Sequence, residues 1–165
     1  MHYNFRKIQA ADIESVWTLF QGVKAEKIDM SFAEITKEEI LAFLDNPSEL
    51  TYVAVLEEDP HQVLCLVKGR REMTDKKRHA TFLSAATHPD ARGGGLVASL
   101  TEFALNEMKT EGVTIARIYV YSNNLASLNA VKKLDFIHAG TVLRHHKDSL
   151  TGEYIDDLIF HKVLD

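Results

Sequence analysis

Residues 88–97 read HPDARGGGLV, in which one proline precedes three consecutive glycines. The apolar run Ala80 to Thr87 before this stretch predicts a strand, and the helical spacing of apolar residues from Leu96 to Glu111 predicts the longest helix. A glycine loop at the start of a helix offers unpaired backbone N–H groups that an anion can approach without meeting a Cβ atom. Arg92 could add a charge-assisted contact. The stretch therefore predicts an anion site, with a merely flexible turn as the alternative.

The rest of the chain alternates predicted strands and helices. The pattern predicts Asp12 as the N-cap of a first helix, and Thr36 with Glu39 has the spacing of a capping box before a second. The segment 58–61 separates two β-rich runs and predicts an antiparallel hairpin. The predicted strands cover 3–8, 51–57, 63–71, 80–87, 115–121, 136–143 and 155–163, and the predicted helices cover 12–20, 37–44, 96–111 and 127–134. This mixture predicts a single α/β domain over 1–165, with helices on the faces of one sheet.

Composition narrows the class of protein. At 165 residues and 45% hydrophobic, the chain is long enough for one compact core. The net charge of −5 argues against a general nucleic-acid binder, which needs a basic face. No apolar run reaches the roughly 20 residues that span a bilayer, and the first residues lack the apolar core of a secretory signal. The lone Cys65 lies in an apolar run and fits a buried strand thiol in a reducing compartment. We therefore expect a cytoplasmic protein that binds neither membranes nor nucleic acid.

Two other phosphate-binding motifs compete for the glycine loop. The P-loop pattern is excluded because no Gly-Lys-Ser or Gly-Lys-Thr closes the loop. Gly93, Gly95 and Ala98 do fit the Gly-x-Gly-x-x-Ala spacing of dinucleotide-binding proteins. That unit normally opens its fold, whereas four predicted strands come first here. A dinucleotide site therefore stays as the weaker alternative.

Two segments of the chain resemble the GCN5-related N-acetyltransferase (GNAT) superfamily. Residues 88–97 are similar to its central motif, in which Arg or Gln, two residues, Gly, one residue, and Gly or Ala bind the pyrophosphate of coenzyme A. Arg92 and Gly95 match this motif, while Val97 occupies the final small-residue position. Residues 124–136, NLASLNAVKKLDF, resemble the family segment that ends in Lys-Leu-Gly-Phe.

The resemblance implies a fold, a cofactor and a reaction. The fold would be a mostly antiparallel twisted sheet of about seven strands with helices on both faces. Acetyl-CoA would be the co-substrate, no metal would be needed, and a primary amine of a small molecule or peptide would attack the thioester directly. The implied cofactor-binding residues are Ala85, Ala86, Thr87, Arg92, Gly93, Gly94, Gly95, Leu96, Val97, Asn124, Ser127 and Lys133.

The catalytic groups are less well defined by the resemblance. The family's usual general acid is a tyrosine at the position of Val131, so that role is unfilled, and Tyr121 is the preferred substitute. No glutamate falls within 80–87 to act as a base, and His88 is the candidate for that role. Other candidates for proton transfer are Glu72, His79, Tyr119, Tyr154, Asp156 and Asp157.

Several points stay open at the level of sequence. The adjacent pair His145-His146 could suggest a metal, but it lacks a recognisable partner spacing, and no metal site is predicted. The missing catalytic tyrosine and glutamate leave a coenzyme A-binding module with little or no catalysis as an alternative to an enzyme. The closing strands could cover their exposed edge by forming a homodimer. The identity of the acceptor amine is not predicted.

Overall fold

The structure, a computed structural model, describes residues 2–26, 32 and 34–165. Its strands are β1 (Tyr3–Lys7), β2 (Glu49–Leu56), β3 (Val63–Arg70), β4 (Ala80–Thr87), β5 (Ile115–Tyr121), β6 (Ile137–Lys147) and β7 (Tyr154–Val163). Its α-helices are α1 (Ile13–Glu26), α2 (Lys37–Leu41), α3 (Leu96–Thr110) and α4 (Leu125–Lys133). Two short 3₁₀ turns, Ala10–Asp12 and Pro89–Ala91, precede α1 and the glycine loop.

All seven strands form one sheet in the order β1-β2-β3-β4-β5-β7-β6. Neighbouring strands are antiparallel except β4 and β5, which are parallel because α3 crosses over between them. The predicted α/β fold with a mostly antiparallel sheet of seven strands is therefore confirmed, with one parallel pair at its centre.

The core lies in two layers, one on each face of the sheet. Alternate side chains of β2 show the division, because Tyr52 and Ala54 belong to the layer under α3, and Val53 and Val55 to the layer under α1. Strands buried on both faces are apolar almost throughout, as β3 is. Helices on both faces thus account for the long apolar runs that the sequence shows.

The start of α1 differs from the prediction. Asp12 is not an N-cap, because it ends a 3₁₀ turn that Gln9 begins, and its Oδ2 accepts a hydrogen bond from the Gln9 backbone N–H at 2.8 Å. The Asp12 side chain is buried and holds Arg6 of β1 through contacts of 2.6 and 2.8 Å, which raise the pKa of the Arg6 guanidinium. This ion pair fixes the first helix to the first strand.

Other element ends shift by a few residues. The capping box before α2 is confirmed, since Thr36 Oγ1 accepts from the Glu39 N–H at 3.2 Å and Glu39 Oε1 accepts from the Thr36 N–H at 3.4 Å. That helix ends at Leu41 rather than at 44, and α1 continues to Glu26 rather than stopping at Phe20.

Cys65 is buried in β3, as predicted. Burial raises the pKa of its thiol to about 12, despite a contact of 3.4 Å with Thr87 Oγ1 that lowers it. Among the helices of the described residues, none has the length and apolar character needed to cross a membrane.

Candidate active site

The two parallel strands at the centre of the sheet separate part-way along their length. The ladder between β4 and β5 joins Ala80–Leu83 to Ile115–Ile118 and then stops. Beyond that point β4 continues beside β3 as far as Thr87, and β5 continues beside β7 as far as Tyr121. The separation leaves a cleft of about 180 Å³, lined by residues 82–85 and 118–121 with Asn124 and Ser127 from α4. Strand edges of this kind can pair with an extended ligand.

The glycine loop lies beyond the end of β4. Gly93 and Gly95 have φ values of +85° and +79°, in the left-handed region that favours glycine. Gly95 is the N-cap of α3, and no side chain caps that helix. The first N–H groups of α3 have no carbonyl partner within the helix, and the helix dipole adds positive potential there. This end of α3 therefore has the geometry of an anion site, as the sequence predicts.

Two basic side chains lie beside the loop. A Cβ atom built on Gly95 would lie 3.0 Å from Lys133 Nζ, so the ammonium group from the end of α4 is next to the N-cap of α3. Arg92 Nη2 donates to the Thr87 carbonyl at 3.1 Å and so turns back over the end of β4. An ammonium group beside a helix N-terminus, with no acidic residue in the first turn, favours an anion between them.

Asn124 has a structural role and also lines the cleft. Its side-chain oxygen accepts the Ser127 N–H at 3.1 Å and so caps α4. Both residues border the cleft. The two interpretations of this segment, a helix cap and a cofactor wall, are therefore compatible.

The other residues predicted to bind the cofactor differ in how far their side chains are buried. Ala85 lines the cleft, whereas Ala86 is buried against the layer under α1. Leu96 is buried, and Val97 packs its side chain against the other layer. Gly94 has open space on its Cα, with nothing within 4 Å of an added Cβ atom.

Of the two predicted catalytic residues, Tyr121 and His88, only Tyr121 lies at the cleft. Tyr121 lines the cleft. His88 does not border it, and its Nδ1 accepts the Asp90 N–H at 3.1 Å as the cap of the turn before the glycine loop. Val131 is only 3% exposed and packs in the core, so the position of the family tyrosine presents no polar group.

Three residues that are distant in the sequence, Tyr121, His146 and Asp157, form one cluster beside the cleft. Asp157 of β7 lies opposite Tyr121 of β5 in the sheet, and its Oδ2 is 3.6 Å from Nε2 of His146 on β6. The rings of Tyr121 and His146 have centroids 4.4 Å apart. The pairing depends on a register shift between Val142 and His146, which no spacing in the sequence reveals. The sequence offers only the alternation of side chains along a regular hairpin, and that alternation does not predict which residues meet where the register shifts.

The same cluster adds a third donor to the histidine pair. Donor atoms of His145, His146 and Asp157 all lie within 4.8 Å of one another. Two imidazoles and a carboxylate are a donor set that zinc accepts. Asp157 thus reaches the histidine pair from across the hairpin, and nothing else among the described residues points to an ion there.

The sequence of the chain matches a known protein family. A model of the Acetyltransferase (GNAT) family matches residues 14–136. The chain belongs to the GNAT acetyltransferase family. The resemblance of the glycine loop and of the segment 124–136 is thereby confirmed. No curated protein sequence matches the chain significantly.

Solved GNAT structures share the whole fold. A GNAT acetyltransferase from Streptococcus pneumoniae is 20% identical, with a TM-score of 0.87 over 99% of this chain and 100% of its own. Ribosomal-protein-alanine N-acetyltransferase from Brucella melitensis is 20% identical, with a TM-score of 0.82 over 98% and 99%. YncA from Salmonella typhimurium, solved with its cofactor acetyl-CoA, is 17% identical, with a TM-score of 0.83 over 99% and 94%. At these identities the likeness concerns the fold.

Proposed function

We propose that the protein transfers an acetyl group from acetyl-CoA to a primary amine of a small molecule or peptide. The observation that carries this proposal is the cleft between β4 and β5 in a GNAT family member, with an open strand edge on β4 and, after the end of that strand, a helix N-terminus that has no side-chain cap. An extended arm that ends in a pyrophosphate matches both features. A dinucleotide would use the loop but would leave the open strand edge unpaired.

The cofactor would lie along the cleft. Its pyrophosphate would accept hydrogen bonds from the backbone of Gly93 to Val97, beside the charges of Arg92 and Lys133. Its pantetheine arm would pair with backbone groups of Ala85, Ala86 and Thr87, past the last residues that pair with β5. Asn124 and Ser127 would form the opposite wall. The thioester would then lie near Tyr121.

The reaction needs no covalent enzyme intermediate. The amine nitrogen attacks the thioester carbonyl, the carbon–sulfur bond breaks as the tetrahedral adduct collapses, and coenzyme A leaves as a thiolate that takes up a proton. Backbone N–H groups at the open strand edge could stabilise the oxyanion. Transfer to nitrogen is favoured by the name of one protein with this fold, ribosomal-protein-alanine N-acetyltransferase from Brucella melitensis.

The acceptor would enter on the face opposite α3. Phe82 and Tyr119 lie on that face at the cleft, in an edge-to-face contact with centroids 4.6 Å apart, and both are partly exposed. Their rings can pack against the carbon skeleton of an amine or attract its positive charge. The two rings define a surface for the acceptor without selecting one class of amine.

A coenzyme A-binding module with weak catalysis is the second candidate. The buried Val131 favours it, because the position of the family's acid holds a core side chain. The two candidates share cofactor binding and differ only in turnover.

Calorimetry and a thiol-release assay together test both candidates. We expect acetyl-CoA to bind with micromolar affinity, and a screen of amines that includes polyamines and peptides with free N-termini to release free coenzyme A. Binding without release for any amine would favour the module. Failure to bind acetyl-CoA at millimolar concentration would refute both.

We also propose that the hairpin of β6 and β7 forms a homodimer contact. β6 is an edge strand of the sheet, and the hairpin exposes Leu143 and Leu150 at 73% and 82%. Light scattering should give the mass of a dimer, and the double substitution Leu143→Glu with Leu150→Glu should give that of a monomer. A wild-type monomer would exclude the contact. For its compartment we propose the cytoplasm, which fits a single buried thiol.

A further inference from the structure

Two buried polar atoms near the cleft have no hydrogen-bond partner among the described residues. They are Oδ1 of Asp157 and Nε2 of His146. Asp157 is only 6% exposed. A buried carboxylate oxygen without a donor is costly, and such atoms are rare in folded proteins. An arrangement of this kind calls for a functional explanation.

The position of the pair connects it to the cleft. Tyr121 lines the cleft, Asp157 lies beside it in the sheet on the same face, and the ring of His146 contacts that of Tyr121. His146 is partly exposed although its Nε2 is buried, so its exposed surface belongs to other atoms of the side chain. The buried Nε2 of His146 thus faces the carboxylate of Asp157, while another part of the side chain is exposed and its ring lies beside Tyr121.

The backbone of β6 holds the imidazole in this place. The pairing with β7 shifts between Val142 and His146, and Arg144 within the shift has a φ of +54°. The Arg144 N–H donates to Asp156 Oδ1 at 2.8 Å, which fastens the bulge to β7. Bulges redirect side chains and often lie next to active sites. The irregularity is what brings His146 to Asp157.

We propose that His146 is the general base that takes a proton from the acceptor amine, and that Asp157 is its positioning residue. This inference rests on the proposed acetyl transfer. His146 would fill the role for which β4 has no glutamate, and for which His88 is unsuited because its Nδ1 already serves as a cap acceptor. Asp157 would fix the ring and stabilise its cationic form, as a carboxylate does beside a catalytic histidine.

The protons balance over the reaction. The acceptor arrives as an ammonium ion and gives one proton to His146, which frees the nitrogen lone pair for attack on the thioester carbonyl. The nitrogen loses a second proton when the adduct collapses and the carbon–sulfur bond breaks. The leaving thiolate takes up one of these two protons, and the other is released to solvent. The groups that face His146 during this cycle are Asp157 from β7, Tyr121 from β5 and His145 on its own strand.

The test compares substitutions in the full-length protein with an amine that the wild type acetylates. We expect His146→Gln to lower kcat/KM by about 10²- to 10³-fold. The fall in rate toward acid pH that a neutral base imposes should disappear in that variant. Asp157→Asn should lower kcat/KM by about tenfold or more and displace the acid limb of the profile. Acetyl-CoA affinity by calorimetry should change less than about twofold in both.

His138→Gln is the matched control, because His138 is an exposed histidine on the same strand and has no part in the proposed proton path. We expect it to keep wild-type rates. If His145→Gln costs as much as His146→Gln, and zinc restores activity lost to a chelator, the cluster is a metal site and the base assignment is wrong.

Two further results would overturn the proposal in different ways. Activity of His146→Gln within twofold of wild type would exclude His146 as the base. A wild type that binds acetyl-CoA but acetylates no amine would refute the proposed transfer itself. Circular dichroism of each variant separates loss of the fold from loss of the base, and Asp157→Asn supplies an independent reading if His146→Gln does not fold.

Discussion

At the scale of single residues, the three glycines of the loop are not equivalent. Gly93 and Gly95 have positive φ values, whereas Gly94 does not. An added Cβ atom at Gly94 meets nothing within 4 Å, while one at Gly95 would lie 3.0 Å from Lys133 Nζ. The backbone conformation thus requires glycine at positions 93 and 95 but not at position 94.

We expect Gly95→Ala to weaken acetyl-CoA binding by about tenfold or more, because a residue with a Cβ atom costs roughly 1–2 kcal/mol in the left-handed region. Gly94→Ala should stay within about twofold of wild type, since its backbone conformation suits alanine. Calorimetric titration of both variants with acetyl-CoA provides the comparison. Equal losses in the two variants would show that the strained backbone at Gly95 does not control the anion site.

The residue scale also shows what sequence can and cannot predict. The glycine loop at the start of α3, and the position of Tyr121 at the cleft, could be predicted because each follows from the local order of a strand, a loop and a helix. The catalytic role of Tyr121 stays a prediction. The approach of His146 to Asp157 could not, because it depends on the backbone of Arg144 adopting a positive φ. A single bulge changes which side chains meet across a hairpin.

At the scale of elements, one glycine sets how closely α3 packs on the sheet. A Cβ atom at Gly69 of β3 would lie 2.5 Å from Thr81 Oγ1 on β4 and 2.6 Å from Met108 Cε on α3. Thr81 Oγ1 is itself held by a hydrogen bond of 3.2 Å to the Arg70 carbonyl. The hydroxyl therefore has little room to move. Gly22 of α1, in contrast, is exposed and has nothing within 4 Å of an added Cβ atom.

We expect substitution by alanine to have opposite effects on the free energy of unfolding at Gly69 and at Gly22. Gly69→Ala should lower the free energy of unfolding by about 1–3 kcal/mol, because the extra methyl group overpacks a closed interface. Gly22→Ala should raise it by about 0.5–1 kcal/mol, because alanine is the better helix former at an open position. Urea denaturation of both variants measures the difference. Stabilisation by Gly69→Ala would mean that the layer under α3 is looser than its contacts indicate.

Element limits were predictable where the sequence itself ends the element. The bounds of β4 and β5 agree with the prediction, since Pro89 and the polar segment after Tyr121 follow them. The start of α1 was not predictable, because Asp12 serves the ion pair with Arg6 of a different element. Tertiary contacts of this kind override local capping preferences.

At the scale of the whole molecule, two acidic groups of the core link stability to alkaline pH. Burial raises the pKa of Cys65 from 9.0 to about 12 and that of Tyr52 from 10.0 to about 12, with Glu111 and Glu107 adding to the second shift. In both cases the folded state holds the proton more tightly than the unfolded state does. Their contribution to stability is complete below pH 9 and is lost as the pH rises toward 12.

We therefore expect the free energy of unfolding to decline steadily between about pH 9 and pH 12. Cys65→Ala should reduce the slope of that decline, because it removes the group with the larger change. Denaturation at a series of pH values gives both slopes. A wild-type curve that stays level across this range would show that both groups reach solvent in the folded protein.

The separation of β4 from β5 also has a mechanical consequence. It divides the sheet into one block of strands β1 to β4 and another of β5, β7 and β6, joined by the short ladder of Ala80–Leu83 with Ile115–Ile118. We expect such a joint to bend more easily than the continuous sheet on either side of it, so that a ligand bound between the two blocks would fix the angle between them. A ligand that pairs with strands of both blocks would hold them together. The rigidity of the sheet would then depend on the bound cofactor as well as on the protein.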